Sequence, residues 1–316
     1  MKETAKLVYI IIFISITVCS KAQSDISMAT HWYNRANYNP ASIARTDYAY
    51  IFSNYNRQWI GVDGAPKVFN VQASEYFHNI KSAFGLSFVC DNIGLTNSLN
   101  PMATYAYRLA HRGWSLSMGL SAGLFSRSLN SSLFDADNES DPALPYENEK
   151  LKKPDANIGF EFQSQHFIIG LSSTHLYSLF TPEDILMYSN HRYGYFIYKS
   201  NAPSLFNYSL GLQAVNRNNT TIMQGNILLR FKQTNGLLKG PTEKFDLGLT
   251  FTSTNQLIAL VGMNITPDLR IGYAYDQSYR SAFFANSTHE IMIEYRIPSK
   301  ASSTKTRCGD DLFWYR

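Results

Sequence analysis

The sequence predicts an all-β fold, namely a transmembrane antiparallel β-barrel of about 14 strands. Apolar residues alternate with small or polar ones in runs of about ten residues, and such runs recur along the chain. Only 16% of the 316 residues are charged, whereas Tyr (21) and Phe (20) are abundant. After the first twenty residues no stretch approaches about 18 consecutive apolar residues, which excludes membrane-spanning helices.

The clearest alternation lies between Trp114 and Leu124. Successive side chains of a strand point to opposite faces, so this segment has one apolar face and one face of Ser and Gly. Its length is that of a tilted strand crossing a bilayer, about 9–11 residues. The apolar face is predicted to contact lipid. The small face predicts either an open interior or one filled by residues 24–47.

The N-terminus has the features of a cleaved export signal covering residues 1–22. Lys2 and Lys6 precede an apolar run from Leu7 to Val18, and Ser20-Lys21-Ala22 supplies small residues before a cleavage site. A lipoprotein signal ending at Cys19 is the alternative. Removal of residues 1–22 lowers the net charge from +4 to +2, which is too small a bias to indicate nucleic-acid binding.

The predicted organisation is a periplasmic or lumen segment at 23–47, a barrel at 48–297 and a tail at 298–316. Strands are predicted at residues 48–59, 67–77, 81–91, 100–110, 114–125, 155–164, 166–176, 191–199, 206–216, 220–232, 244–253, 256–265, 268–276 and 287–297.

A soluble β-sandwich also alternates, but its strands are shorter. Tyrosines near the predicted strand ends favour the barrel, because an aromatic girdle lies at the membrane interface. These are Tyr48, Tyr50, Tyr105, Tyr107, Tyr273 and Tyr275.

Two connections are longer than turns. Residues 126–154 contain an acidic run from Asp135 to Asp141, which fails as a calcium loop because Ser140 takes the glycine position. In residues 177–190, Thr181 followed by acidic residues predicts a short helix. In barrels of this class long loops lie outside the cell.

The sequence predicts no enzyme, no metal and no cofactor. No His pair has metal-ligand spacing, and Cys90 and Cys308 do not make a disulfide scaffold. Ser173 with His175 and Ser287 with His289 are the nearest to a nucleophile and base, but neither has a third orienting group.

Two further groups of residues stand out. One connects two predicted strands, and the other lies within a predicted strand. The block of residues 57–66 contains Arg57, Trp59, Gly61, Gly64 and Pro66 and predicts an irregular connection, with Trp59 anchored at the interface. In residues 268–276, Arg270 and Asp276 are predicted on the inward face, near Tyr273.

These clusters carry a resemblance to a known family. The sequence resembles the PorP/SprF family of Bacteroidota outer-membrane proteins, associated with type IX secretion and gliding. In order, the matching pieces are Asn39-Pro40-Ala41, residues 57–66, Gly170 to Leu176 with His175, Ile271 to Asp276 with Tyr273, and Ser287 to Ile291 with His289 and Glu290.

The resemblance implies a barrel related to the fatty-acid-transporter type in the cell outer membrane. It also implies a non-enzymatic role in which the barrel assists secretion or surface attachment of specific cargo, such as a gliding adhesin, and contacts periplasmic secretion and motility components. Membrane lipid is the other expected partner. The alternative function is an outer-membrane channel or hydrophobic-solute transporter.

Overall fold

The computed structural model describes residues 28–45, 48–129, 150–181, 188–200, 205–217, 220–233, 242–278 and 287–298. The predicted signal peptide, the acidic run from Asp135 to Asp141 and the chain after Pro298 lie outside the described residues. So does the short helix predicted after Thr181.

Fourteen antiparallel strands close into one barrel, in which each strand pairs with its chain neighbours and β1 pairs with β14. This confirms the predicted fold. The strands β1 to β14 are Tyr48–Arg57, Lys67–Phe77, Ser82–Ile93, Thr96–His111, Trp114–Leu129, Lys150–Ser164, Phe167–Thr174, His191–Lys199, Phe206–Arg217, Thr220–Gln233, Thr242–Thr252, Gln256–Asn264, Leu269–Ser278 and Thr288–Pro298.

Strands β4, β5 and β6 extend further than the alternation predicts. Their extra residues continue the ladder, with Leu99 opposite Ser126 and Arg127 opposite Leu151. The apolar pattern fades there because a strand that rises beyond the bilayer no longer needs an apolar outer face. Hydropathy therefore marks the part of a strand within the membrane, whereas backbone pairing sets its full length.

The two faces of β5 differ as the alternation predicts. Leu120 and Leu124 point outward and are 56% and 61% exposed, whereas Ser117 and Ser121 point inward and are buried. A row of exposed leucines is stable only against lipid, so the outer face of the wall is the membrane-facing face. Within the described part of the chain, no helix has the length and apolarity needed to cross a membrane.

Tyr50 is not part of an aromatic girdle, so that prediction is wrong. Its side chain is 4% exposed and points inward, where its ring stacks with Phe52 and lies 5.1 Å from the Arg45 guanidinium. The error arises because β1 carries large apolar residues on both faces, such as Phe52 inside and Ile51 outside. Alternation alone therefore did not fix which face of β1 is the inner one.

The barrel has two ends, which we name by their connections. The terminal rim is the end where β1 begins and β14 ends. The loop rim is the opposite end. The loop rim carries the longer connections 58–66, 130–149 and 175–190, while the terminal rim includes the short turns 112–113 and 165–166. In outer-membrane barrels the long loops face outward and the short turns face the periplasm.

Residues 28–45, which we call the plug segment, lie inside the barrel. They form three short 3₁₀ turns, Ala29–Trp32, Arg35–Asn37 and Pro40–Arg45. The first turn contacts β12, β13 and β14, and the third contacts β2 to β6, on the opposite wall. A segment that touches opposite walls of a closed barrel must run through its interior. Trp32 and Ala41 accordingly have no exposed surface.

The orientation of Leu120 generates a stability prediction. Leu120→Arg places a charge near mid-height on the lipid face and should destabilise the barrel by about 2–4 kcal/mol. Asn97→Arg, on the same outer face but one residue from the start of β4, should cost about 0–1 kcal/mol. Urea unfolding in phospholipid vesicles measures both variants. Equal losses would contradict the assigned membrane face.

Candidate functional site

The candidate site is the interface between the plug segment and the inward faces of the strands. Among the buried carboxylates of the inner wall, three contact the plug segment: Glu161 on β6, Asp246 on β11 and Glu290 on β14, each at most 3% exposed. A buried carboxylate is costly unless donors or cations surround it. Each of the three receives a group from the plug segment.

Glu290 binds the beginning of the plug segment. The backbone N–H groups of Ala29 and Thr30 donate to its two carboxylate oxygens at 2.7 and 3.2 Å, and the Thr30 hydroxyl also donates. Asn54 and Asn56 on β1 donate to the same carboxylate at 2.8 and 2.9 Å. Glu290 therefore satisfies backbone donors that the first 3₁₀ turn leaves without an internal partner.

Asp246 binds the middle of the plug segment through Tyr33. The Tyr33 hydroxyl donates to Asp246 at 2.5 Å, and Arg270 on β13 pairs with the same carboxylate. The Arg270 guanidinium also lies 4.5 Å from the centroid of the Tyr33 ring. Burial, followed by the negative charge of Asp246, raises the pKa of Tyr33 well above its ordinary value, so the phenol stays protonated and donates.

Glu161 binds the next turn through Arg35. The Nε and Nη2 atoms of Arg35 donate to its two oxygens at 2.8 and 3.1 Å, which is the bidentate geometry that strengthens such pairs. Tyr195 on β8 donates to Glu161 and accepts from the Asn39 amide at 2.7 Å. Burial alone would lower the pKa of Arg35, but the charge of Glu161 raises it above its ordinary value.

His31 adds no charge to this interior at neutral pH. Burial lowers the pKa of His31 to about 4, because the charged imidazolium is not solvated there. The neutral ring donates from Nδ1 to the Met28 carbonyl at 2.6 Å. The plug segment is fixed to the wall by Arg35, by hydroxyl groups, by side-chain amides and by backbone N–H groups.

Three inward glycines make room for the plug segment. A Cβ atom on Gly119 would lie 2.4 Å from the backbone of Pro40 and Ala41, and one on Gly159 would lie 2.0 Å from the Asn39 side-chain oxygen. A Cβ on Gly211 would lie 2.4 Å from the Trp32 ring. The small inner face is therefore filled in this structure, and these glycines allow a close backbone approach.

Four residues that the sequence analysis selected meet at this site: Asn39, Pro40, Arg270 and Glu290. Asn39 donates to the Phe160 carbonyl at 3.0 Å as well as to Tyr195, while Pro40 begins the third turn. Asp276 shares the inward face of β13 but contacts Gln256 at 3.3 Å, close to the loop rim, so it is not part of the cluster.

Three of the other selected motifs meet at one side of the loop rim. The Ile60 N–H donates to the Ser287 carbonyl at 3.2 Å, Arg57 stands opposite His289 in the ladder, and the His289 ring contacts the Tyr273 hydroxyl. These residues belong to β1, β13, β14 and the connection 58–66.

The connection 58–66 has the irregular backbone that its sequence predicts. Trp59, Gly61 and Gly64 have φ angles of 46°, 94° and 69°, and the Pro66 carbonyl accepts from the Gln58 N–H at 2.9 Å. Trp59 is 45% exposed. None of these contacts reaches the plug segment.

His175 lies at the loop rim, at the end of β7. It has a φ angle of 55°, and its Nδ1 atom lies 2.6 Å from the Asp155 carboxylate. The prediction that His175 has no orienting group is therefore wrong, because Asp155 is 20 residues away in the chain and its contact is set by the pairing of the strands. The Ser173 hydroxyl accepts instead from the Asn190 amide at 2.8 Å. Across the described ranges, no group of three or more His, Cys, Asp or Glu side chains could hold a metal ion.

Sequence reasoning did not single out Trp32, Tyr33, Arg35, Glu161 or Asp246. A signal was present for the two carboxylates, because isolated charges on strands that cross a membrane point inward and require a partner. For Arg35 no local signal exists, since its partner Glu161 is 126 residues away in the chain.

The buried pair of Arg35 and Glu161 generates a prediction. Arg35→Met leaves Glu161 buried without its cation and should cost about 3–5 kcal/mol of stability. The double variant Arg35→Met with Glu161→Gln should recover much of this loss, because no buried charge then remains. Unfolding in lipid vesicles and protease sensitivity of the plug segment measure the effect. A double variant as unstable as the single one would show that the loss is not electrostatic.

The close approach of Gly211 to the Trp32 ring generates a second stability prediction. Gly211→Ala forces Trp32 out of its position and should cost about 1–3 kcal/mol, the usual cost of overpacking. Gly225→Ala on β10 is the matched control, since its Cβ would meet only Leu212 at 3.9 Å. Trp32→Leu should relieve the effect of Gly211→Ala. Equal unfolding midpoints for the two alanine variants would contradict the packing described here.

Comparison with known structures places the fold among outer-membrane barrels. The toluene transporter TbuX of Ralstonia pickettii has a TM-score of 0.50 and 12% identity, over 88% of this chain and 95% of that one. Outer membrane protein Omp33 of Acinetobacter baumannii has a TM-score of 0.46 and 11% identity, over 79% and 99%. A FadL homologue of Pseudomonas aeruginosa has a TM-score of 0.46 and 10% identity, over 81% and 92%.

At these identities the likeness concerns the fold alone. No curated protein matches the sequence. A sequence model of the family described as type IX secretion system membrane protein PorP/SprF matches residues 20–295, which include the plug segment and nearly all of the barrel. The chain therefore belongs to the PorP/SprF family of type IX secretion system membrane proteins.

Proposed function

We propose that this chain is a non-enzymatic accessory barrel of the type IX secretion system that works with its interior plugged. It assists secretion or cell-surface attachment of specific cargo, such as a gliding adhesin, and contacts periplasmic secretion and motility components. The observation that carries the proposal is the plug segment, whose buried contacts extend across the barrel from β14 to β6.

The energetics of the plug segment favour a plugged working state. Its removal would break the ion pair of Arg35 with Glu161 and would take two backbone N–H donors from Glu290. It would also expose Trp32 and Tyr33, which have no exposed surface in the plugged barrel. Both changes are unfavourable, so cargo that moved through this interior would first have to replace the contacts of the plug segment.

The alternative function is a channel or a hydrophobic-solute transporter. A channel or transporter would need the volume that the plug segment occupies. Holding the plug segment in place therefore distinguishes this alternative from the proposal. The catalytic alternative has less support. The hydroxyl of Ser173 is bound by Asn190 rather than by His175. The Ser287 hydroxyl lies 3.2 Å from His289 Nε2, but the other ring nitrogen of His289 contacts the Tyr273 hydroxyl rather than a carboxylate.

In this proposal the partners act on the outside of a closed barrel. Residues 1–22 serve as the cleaved export signal, and the terminal rim faces the periplasmic components. The loop rim faces the cell exterior, where Trp59, Ile60 and Val62 are 40–46% exposed on the connection 58–66. The five motif residues Arg57, Trp59, Gly61, Gly64 and Pro66 then shape the outer surface rather than the interior.

The experiment compares a gene deletion with a barrel whose plug segment is locked to the wall. Asn37 in the plug segment accepts from Asn70 on β2 at 2.8 Å, so Asn37→Cys with Asn70→Cys places two thiols on facing positions within reach of a short crosslinker. The background carries Cys90→Ser and Cys308→Ser. Oxidation or a short thiol crosslinker locks the plug segment, and thiol titration measures the locked fraction. Single-cysteine variants are the matched controls.

We expect the deletion strain to lose surface display of one or a few cargo proteins while bulk secretion continues. The locked variant should restore display as well as the wild-type chain does. Normal display of every type IX cargo in the deletion strain would overturn the cargo role. Loss of display in the locked variant that returns on reduction would overturn the plugged working state and favour transport through the interior.

A further inference from the structure

The pairing of β4 with β5 is interrupted at Asn100 and Pro101, whereas the pairing of β4 with β3 continues through both residues. The pairing with β5 includes Leu99 opposite Ser126 and Met102 opposite Gly123, but the two residues between have no ladder partner on β5. The register is the same on both sides of the gap, so the interruption is not a bulge. Proline has no N–H to donate, which explains why the ladder breaks at this position.

At this break β4 leans toward the barrel interior. Gly123 lies on the inward face of β5, and a Cβ atom there would lie 2.0 Å from the Pro101 carbonyl oxygen and 2.9 Å from the Met102 Cα. The backbone of β4 thus occupies the space that a side chain at position 123 would fill. The outer surface of the wall is correspondingly drawn inward.

A depression with a volume of about 540 Å³ lies on the outer face at this point. Its centre is formed by Ala73, Leu86, Ala103 and Ala122, which are direct cross-strand neighbours on β2, β3, β4 and β5. Three of these four positions carry only a methyl group. Met102, whose side chain points inward, also borders the depression.

The depression is continuous with the lipid-facing surface of the barrel. Leu86 and Leu124, which line it, are 68% and 61% exposed on the same outer face. Ala103 lies near the middle of β4, which places the depression at the depth of the hydrocarbon core. Its outward-facing lining is apolar, so water is a poor occupant. Its volume falls within the usual range of small-ligand pockets, about 300–1,000 Å³.

We propose that this depression is a binding site for one acyl chain of a bilayer lipid. The chain lies across the alanines of β2, β4 and β5 and fills the space that the break at Pro101 opens. The site also adjoins the plug segment, because Gln72 lines it and its amide is hydrogen-bonded to Asn34 at 2.8 Å and to Asn37 at 2.5 Å on the interior side. The site stands independently of the proposed secretion role.

Photolabelling with a lipid tests the proposal. The full-length protein is reconstituted in phosphatidylethanolamine vesicles that contain a trace of the same lipid with a diazirine at the middle of one acyl chain. After irradiation, peptide mapping measures the label on β3 to β5 and on β9 and β10. Leu212 and Met223 on β9 and β10 are 64% and 63% exposed and report ordinary lipid contact.

We expect several-fold more label on β3 to β5 than on β9 and β10. Ala103→Trp fills the depression and should reduce the label there to the level of β9 and β10. Ala259→Trp, at an exposed outward position of β12, is the matched control and should leave the labelling pattern unchanged. The gel mobility of the closed barrel shows whether each variant folds.

Native mass spectrometry of the protein extracted in mild detergent gives a second measurement. The wild-type chain and Ala259→Trp should retain a phospholipid that Ala103→Trp loses. Uniform label around the barrel would overturn the proposal. So would label on β3 to β5 that Ala103→Trp leaves unchanged. If Ala103→Trp does not fold, Ala122→Trp or Ala73→Trp on the neighbouring strands provides the same comparison.

Discussion

The rest of this structure depends on the need to satisfy carboxylates inside a closed, membrane-embedded wall. Glu161, Asp246 and Glu290 cannot reach water through a filled interior, and an unpaired charge there is expensive. The plug segment supplies a guanidinium to Glu161, a phenol to Asp246 and backbone N–H groups to Glu290. Because these groups lie on different strands, one continuous segment must pass close to each of them. This requirement explains its short 3₁₀ turns, and the close passage explains why glycine stands at the nearest wall positions.

The membrane imposes the complementary constraint on the outer face. A chain in hydrocarbon must satisfy every backbone polar group internally, and a closed ladder of fourteen strands does so without leaving an edge. The same ladder forces adjacent side chains to opposite faces, so one pattern specifies a lipid face and an interior face together. The break at Pro101 departs from this regularity on β4. Its cost is acceptable only where neighbouring groups fill the space that it opens, and on the outer face the only medium present at that depth is lipid.

Sequence reasoning predicted the fold class from three sources. A period of two gives the inward or outward direction of most side chains, the number of alternating runs gives the number of strands, and closure follows because a sheet in a membrane leaves no open edge. Sequence reasoning failed at Tyr50, where large residues on both faces of β1 remove the contrast on which the period depends. It could not pair Arg35 with Glu161, because contacts inside a barrel join residues that are distant in the chain and are set by register rather than by local pattern. It did select Glu290 and Asn39, but through resemblance to a family. The structure gives the physical reason for both residues: Asn39 anchors the plug segment to the wall, and Glu290 binds the beginning of that segment.

Most of the residues selected from the sequence fall into two groups that face different surroundings. Asn39, Pro40, Arg270 and Glu290 lie in the interior, where their contacts hold the plug segment or the wall around it. Residues 57–66, Tyr273 and His289 lie together at the loop rim, where Ile60 binds Ser287 and Trp59 is exposed. A residue that only maintained the barrel would not need to stand on an exposed connection with left-handed backbone, since such a backbone is costly for Trp59. The interior group therefore accounts for a closed barrel, and the rim group presents a fixed exposed surface that remains accessible while the interior stays filled.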